Sequence, residues 1–169
     1  MNGERFKREY LPLHPKLYRI ALALVGSRED AEDLLQETYC KLWDKRDALP
    51  QVLNAEAFAV TILKHLCLDR LRAPRSRSGE AITDRLTPVH DHRSPEQTMV
   101  ETDALHFVRQ IIEALPEKQK QVIKLRELGD CSMDEIVEIT GFTHTNVRTL
   151  LSRARRTIKE QYQKVNKQA

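Results

Sequence analysis

The chain has 169 residues, 40% of them hydrophobic and 31% charged, which is typical of one ordinary globular domain or two small ones and excludes a mostly disordered chain. Its formal net charge is only +3, so overall charge is weak evidence for nucleic-acid binding. The three cysteines, Cys40, Cys67 and Cys131, lie far apart without CxxC or Cys/His ligand spacing, which argues against a disulfide framework and a zinc site.

The first residues, MNGERFKREY, lack the apolar core of a signal peptide. The longest apolar run, residues 20–25, is too short to cross a bilayer. We therefore expect a cytoplasmic protein.

Helical periodicity dominates the first part of the chain. The segment LHPKLYRIALALV followed by Gly26 predicts a helix with a C-cap glycine. Ser27 starts a capping-box pattern for a helix over about 29–46, and Asn54 suits the N-cap of a helix over about 55–72. Strand-like alternation is absent from the sequence, so the fold class is all-α.

A segment with different composition follows these helices. Residues 74–98 are rich in proline and in charges of both signs and hold few large apolar side chains, which predicts a flexible linker. We place one helical domain at 5–73 and a second at 99–163. In the second domain, helical periodicity resumes near Val100, Pro116 suits the first position of the next helix, and Gly129 closes it.

The end of the chain has the pattern of a helix-turn-helix. Ser132 and Glu135 form a capping box, Gly141 ends a short helix, and Thr143 can cap a longer one. In that last helix the residues that share an apolar side are Val147, Leu150, Leu151, Ala154 and Ile158. We define the opposite side as the basic face: Arg148, Thr149, Ser152, Arg153, Arg156 and Lys159. The helix caps, the turn with glycine and the apolar side occur together, and this combination favours a DNA-binding helix over a basic helix that is only solvated.

The helix over 29–46 presents two different arcs. The residues that share one arc are mainly apolar: Ala31, Leu34, Leu35, Thr38, Tyr39, Leu42 and Trp43. From the other arc we define the acidic stripe: Asp33, Gln36, Glu37, Cys40 and Lys41. By spacing alone, the acidic stripe is better explained as a solvated surface than as a protein-binding surface. The stripe could nevertheless dock on a basic protein surface.

The helix over 55–72 is apolar around most of its circumference, as in the centre of a small bundle. We define the narrow remainder as the mixed stripe: Phe58, Thr61, Lys64, His65 and Arg72. Basic, polar and aromatic side chains together can hold an unstacked base and its backbone. On pattern alone, an ordinary surface remains the better reading of the stripe.

Three segments in this order resemble one family: SREDAEDLLQETYCKLWDKR, then AFAVTILKHLCLDRLR, then, after the proline-rich segment, ALPEKQKQVIKLRELGDCSMDEIVEITGFTHTNVRTLLSRARR. Their co-occurrence resembles the extracytoplasmic function (ECF) sigma factors, the smallest sigma subunits of bacterial RNA polymerase. The resemblance spans about 18–159.

The resemblance implies a role for each surface. In the family, the acidic stripe would bind the clamp of the polymerase β′ subunit. The loop around residues 49–54 and the mixed stripe would recognise the minus-ten promoter element and capture a flipped base, and the basic face would recognise the minus-thirty-five element. An anti-sigma factor, in this family commonly membrane-bound, is a further implied partner, whereas a cofactor, a metal and a small-molecule substrate are not implied. Family members often have Asn where this chain has His65.

Two other functions fit parts of the sequence. A stand-alone transcriptional regulator with a helical dimerisation or sensing domain would have a similar helix-turn-helix, but it would bind duplex DNA without the polymerase. A helical enzyme lacks support because the chain has no phosphate-binding glycine loop and no Ser/His/Asp arrangement. His90 and His92 are a chance pair more readily than a metal site.

Overall fold

The computed structural model describes residues 1–73 and 95–168, with side chains over 1–73 and 103–168. The helices of the described residues are α1 (Gly3–Tyr10), α2 (His14–Val25), α3 (Arg28–Asp44), α4 (Ala55–Arg72), α5 (Pro95–Glu113), α6 (Glu117–Glu127), α7 (Met133–Thr140) and α8 (His144–Gln168). Short 3₁₀ turns lie at Leu11–Leu13 and Leu49–Gln51. The described residues contain no strand, which confirms the all-α fold class. Most of the predicted linker, and the His90/His92 pair, lie outside the described residues.

Local capping sets the ends of the first helices, although the contacts described at Ser27 contain only one half of the predicted capping box. Gly26 ends α2 in the left-handed region at φ 73°, where an L side chain would be strained. The Ser27 hydroxyl accepts a hydrogen bond from the backbone N–H of Asp30, and the side chain of Asn54 accepts one from Ala57 at 2.9 Å. These caps fix the end of α2 and the starts of α3 and α4, and the three helices pack on one another as a bundle.

The core of this bundle comes from one side of each helix. The buried residues of α2, α3 and α4 are Leu17, Ile20, Ala21, Ala23, Ala31, Leu34, Leu35, Thr38, Leu42, Ala59, Val60, Leu63, Leu66 and Cys67. Thr38 is the buried polar residue among them, and its hydroxyl donates to the carbonyl oxygen of Leu34 at 2.7 Å. The hydroxyl is therefore satisfied inside its own helix and costs little to bury.

Trp43 lies on the mainly apolar arc of α3, but its side chain is 41% exposed. Its ring lies edge-on to Phe6 of α1, with centroids 5.2 Å apart, and the guanidinium of Arg46 lies over it at 5.1 Å. The helix α1 was not predicted, although Asn2 caps it by accepting from the backbone N–H of Arg5. The helix α1 covers part of the Trp43 side chain, and the rest of that side chain is exposed.

The helices α5 to α8 form a second packed unit. α6 packs on α8, and α8 also contacts α5 and α7. α5 begins at Pro95, five residues before the point where helical periodicity resumes in the sequence. Pro116 lies at the N-cap of α6 rather than at its first position. After α6, the backbone N–H of Gly129 bonds to the carbonyl of Lys124, and Asp130 takes the positive φ of the turn.

The two units also contact one another. α2 packs against α6 and α4 packs against α7, so buried side chains of both units form one continuous apolar cluster. Within the described ranges, no helix is apolar over a length that would span a membrane.

Candidate functional site

The acidic stripe lies on the solvent side of α3. Its five residues, Asp33, Gln36, Glu37, Cys40 and Lys41, are all exposed, while the opposite side of the helix is buried in the bundle. Lys41 is 3.8 Å from the carboxylate of Glu37, one turn away, and such an exposed pair contributes little to stability. A partner can therefore cover the stripe without unfolding the bundle.

Cys40 differs from the other two cysteines in its surroundings. It is exposed in the middle of the acidic stripe, whereas Cys67 and Cys131 are buried. Burial raises the pKa of the Cys67 and Cys131 thiols to about 12, so both stay protonated at neutral pH. No three His, Cys, Asp or Glu side chains gather as a metal site in the part of the chain that the structure describes.

The mixed stripe lies on α4 and is only partly open. His65 and Arg72 are exposed, while Phe58, Thr61 and Lys64 are half-buried. The Thr61 hydroxyl donates to the carbonyl of Ala57 in its own helix. The ammonium group of Lys64 instead donates to the main-chain carbonyl oxygen of Glu138 in α7, at 2.9 Å. The structure thus brings the second unit onto a residue that the sequence assigned to an open surface.

The loop before α4 presents a large apolar side chain to solvent. Leu53 is fully exposed, whereas Leu49, four residues earlier, is buried and anchors the loop. Leu53 directly precedes Asn54, the N-cap of α4, which is the helix that carries the mixed stripe.

The helix-turn-helix consists of α7 and α8. Both halves of the predicted capping box are present: Glu135 N–H donates to the Ser132 hydroxyl, and Ser132 N–H donates to the Glu135 carboxylate. Gly141 ends α7 at φ 73°, and the Thr143 hydroxyl caps α8 by accepting from the backbone N–H of Asn146. Val147, Leu150, Leu151 and Ala154 are buried, so α8 is held by its predicted apolar side.

The basic face of α8 is turned to solvent. Five of its residues are exposed (Arg148, Ser152, Arg153, Arg156 and Lys159), and Thr149 is half-buried with its hydroxyl donating to the carbonyl of Thr145. Arg156 lies 3.5 Å from Glu160, and Arg155, off this face, pairs with Glu127 of α6 at 2.8 Å. Among the described residues, Arg148, Arg153 and Lys159 have no ion pair, so their charges are available to a ligand.

Two family models match the chain in sequence order. The model described as "Sigma-70 region 2" matches residues 10–77, and "Sigma-70, region 4" matches residues 108–158. Together these matches cover well over half of the chain, and they contain the acidic stripe, the mixed stripe and nearly all of the basic face.

Characterised proteins with similar sequences carry related names. The chain is 25% identical over 154 residues to "ECF RNA polymerase sigma factor SigW" of Bacillus subtilis, covering 86% of this chain and 82% of that protein. It is 27% identical over 158 residues to "ECF RNA polymerase sigma factor SigJ" of Mycobacterium tuberculosis, covering 90% of this chain but only 50% of that protein.

The fold also resembles a solved structure. The sigma factor RpoE in its complex with the anti-sigma factor NepR, from Bartonella quintana, superposes with a TM-score of 0.66. The match covers 95% of this chain and 98% of that one at 23% sequence identity, so it is a likeness of fold.

Proposed function

The chain belongs to the ECF group of the sigma-70 family of RNA polymerase sigma factors, and from that premise we propose which partner each of its three surfaces contacts during transcription initiation. It is an alternative sigma factor, a non-enzymatic subunit that directs core RNA polymerase to promoters. Charge separates two of these partners, because the acidic stripe attracts a basic surface and the basic face attracts an acidic one.

We assign the acidic stripe to core RNA polymerase. Asp33 and Glu37 would meet a basic surface on the clamp of the β′ subunit, whereas phosphate groups of DNA would be repelled by the same carboxylates. The observation that supports this assignment most directly is that all five residues of the stripe are exposed on a helix whose other side is buried. Such a surface can bind without reorganising its own domain.

We assign the mixed stripe and the loop before α4 to the minus-ten element. Lys64 and Arg72 supply positive charge for the backbone, while Phe58 and Leu53 supply apolar contacts for an unstacked base. His65, exposed on the same side of α4, would contact the edge of that base. We propose that the N-terminal domain, which carries the acidic stripe and the mixed stripe, covers residues 5–73.

We assign the basic face of α8 to the minus-thirty-five element. Arg148 and Arg153 have exposed guanidinium groups without an ion pair to any described residue, and each group can donate two hydrogen bonds to the major-groove edge of guanine. Lys159 lies further along the helix, where a phosphate contact is expected. This domain would cover residues 99–163, with residues 74–98 as the segment that spans the distance between promoter elements.

The location and regulation of the chain follow from its partners. A subunit of RNA polymerase works in the cytoplasm, and we place the chain there. A related fold was solved with the anti-sigma factor NepR, and we propose that an anti-sigma factor also binds this chain and competes with polymerase.

Promoter-dependent run-off transcription tests the proposed function. Core RNA polymerase with a library of promoter fragments is expected to give discrete run-off transcripts only when the chain is added. Transcripts that are the same with and without the chain would contradict the function. Binding of the isolated chain to duplex promoters with full specificity would favour a stand-alone regulator instead.

A further inference from the structure

The helix α8 continues beyond the part of the sequence that matches the sigma-70 region 4 model. That match ends at residue 158, whereas α8 ends at Gln168. We name residues 159–168 the extension, and all of its residues are exposed. Apart from Lys159, the extension has no part in the proposed function.

One side of the extension is held against the second unit. The ring of Tyr162 lies near that of Phe107 in α5, with centroids 6.4 Å apart. Ile158, about one turn before Tyr162, is half-buried and packs against the apolar cluster. These contacts determine which side of the extension is turned away from α5.

The side of the extension that is turned away from α5 continues the basic face. At about 3.6 residues per turn, Gln163 lies two turns after Arg156, and Asn166 and Lys167 lie two turns after Lys159. An open groove of about 470 Å³ runs along this side, and the residues that line it are Lys159, Tyr162, Gln163, Asn166 and Lys167. The polar side chains of the extension are therefore gathered on the side that faces DNA in the proposed function.

The chemistry of this side suits phosphate oxygens. The side-chain amides of Gln163 and Asn166 have N–H donors, and Lys167 carries a positive charge without an ion pair to any residue that the structure describes. Lysine and amide side chains are common ligands of the DNA backbone. Glu160 is an acid in the extension, but its carboxylate lies 3.5 Å from Arg156, which offsets the negative charge.

The length of α8 places the extension outside the part of the groove that Arg148 would contact. From Arg148 to Lys167 the helix rises about 28 Å, whereas the major groove of B-DNA is about 12 Å wide. The groove also winds around the duplex while α8 is straight, so α8 cannot stay at the base edges over that length. The extension would then lie beside the sugar-phosphate backbone.

We propose that the extension is a second DNA-binding surface, which contacts phosphate groups of the duplex that flanks the minus-thirty-five element through Gln163, Asn166 and Lys167. The proposal rests on the proposed function, since α8 must lie at that element for the extension to reach the flanking duplex. A phosphate contact does not depend on base sequence. The extension therefore adds affinity and salt dependence at every promoter and leaves base preference unchanged.

Photo-crosslinking in holoenzyme tests where the extension lies. The photoreactive amino acid p-benzoylphenylalanine replaces Gln163 in one variant and Gln161 in the matched control. Gln161 lies about two turns after the buried Ala154, on the other side of α8. Residue 163 is expected to crosslink to the duplex beside the minus-thirty-five element, mapped by primer extension, and residue 161 is expected to give no DNA crosslink.

The same substitution at the same two positions tests the energetic effect. Gln163→Glu places a carboxylate next to phosphates and should weaken holoenzyme binding several-fold at all promoters alike, whereas Gln161→Glu should bind as the wild type does. Lys167→Ala should reduce the slope of log affinity against log salt by about one. Base preference, measured with a promoter library, should be the same in all three variants and the wild type.

The outcomes separate the extension from the proposed function. The extension is refuted as a DNA-binding surface, and the function stands, if a transcriptionally active holoenzyme crosslinks residue 163 to a polymerase subunit or to nothing. Equal promoter affinities of Gln163→Glu and Gln161→Glu would have the same meaning, and an altered base preference would replace the phosphate contact with a base contact. Absence of promoter-dependent transcripts with the wild-type chain would overturn the proposed function and the extension's role with it.

Discussion

A Cβ atom placed on Gly129 would lie 2.7 Å from the main-chain carbonyl oxygen of Leu125. That oxygen accepts a hydrogen bond from the backbone N–H of Cys131 at 3.0 Å, in the turn that leads α6 into the helix-turn-helix. The close approach of backbone to backbone leaves no flexible atom that could move aside.

Gly129→Ala is therefore expected to lower the free energy of unfolding by about 1–3 kcal/mol, the range for overpacked sites. Denaturant unfolding followed by circular dichroism measures the change. Gly3→Ala is the control, because its Cβ would meet Trp43 at an ordinary 3.8 Å. Equal unfolding midpoints for the two variants would show that the turn relaxes freely.

Charge reversal in the acidic stripe is expected to weaken assembly with core polymerase. Asp33→Lys with Glu37→Lys replaces two exposed carboxylates and loses only the 3.8 Å pair with Lys41, so the fold should be kept. Co-purification with core polymerase measures assembly. The control reverses Glu4 and Glu117, two acids that are each 86% exposed outside the stripe. Wild-type recovery of the stripe variant would contradict the assignment.

Cys40 gives a test of the same surface without any mutation. In the free chain, N-ethylmaleimide should modify Cys40 first, because Cys67 and Cys131 are buried and burial raises the pKa of each thiol to about 12. In holoenzyme the rate at Cys40 is expected to fall, since the interface excludes the reagent. An unchanged rate would place the polymerase elsewhere on the chain.

The two arginines of the basic face without an ion pair to any described residue should each affect one promoter position. Arg148→Ala or Arg153→Ala is expected to relax specificity at one minus-thirty-five position by about 1–3 kcal/mol, measured on holoenzyme with a promoter library. Arg155→Ala is the control, because Arg155 pairs with Glu127 of α6. A uniform loss across all promoters would mean that these arginines contact only phosphate.

Lys159 is expected to behave differently from those arginines. Its replacement by Ala should weaken holoenzyme binding to all promoters alike and reduce the slope of log affinity against log salt by about one. Affinity measured at a series of salt concentrations gives that slope. A changed base preference would show that Lys159 contacts a base edge.

Glu113 makes the stability of the second unit depend on pH. Burial opposes its ionisation, but the hydrogen bond and charge of Lys124, with Lys120 at 3.6 Å, outweigh burial and lower the pKa of the carboxyl group below 4.5. A lowered pKa means that this stabilisation is present above pH 4.5 and is lost as the pH falls through the pKa of the folded state.

Comparison of wild type with Glu113→Gln in denaturant isolates that contribution. The variant should be less stable at pH 7 by no more than about 1 kcal/mol, and the difference should vanish in strong acid. Glu117→Gln, beside the same Lys120 but 86% exposed, is the control and should show a smaller difference. A difference that persists in strong acid would require another cause.

Helix ends could be predicted from the sequence because caps act over three or four residues. Asn54 and the Ser132–Glu135 box each satisfy backbone groups within one turn, so their patterns are visible along the chain. α1 was missed although Asn2 has the same capping chemistry and Phe6 and Tyr10 are one turn apart, a short signal that could have found it. The acidic stripe and the basic face were defined on helical spacing, and all of their residues are exposed except Thr149, which is half-buried.

Contacts between distant segments could not be predicted in this way. The ammonium group of Lys16 in α2 is bonded to the carboxylate of Glu135 in α7, 119 positions further along the chain, and nothing local to either residue identifies the other. The same holds for Lys64, whose spacing placed it on an open stripe until α7 packed over it. Trp43 belongs to the mainly apolar arc of α3 by spacing, but burial depends on what the next element covers, and α1 covers only part of the ring.

The helix α8 continues to Gln168, and beyond its core residues the ring of Tyr162 lies near that of Phe107 in α5, with centroids 6.4 Å apart. Its buried apolar residues end at Ala154, and residues 159–168 are all exposed. From Arg153 to Gln168 the helix rises roughly 22 Å, so a tilt of about 10° at Arg153 would move Gln168 by roughly 4 Å. The C-terminal end of α8 is continuous with the basic face that we propose contacts DNA, so a probe attached at this end would move further than the basic face itself when α8 tilts in the groove.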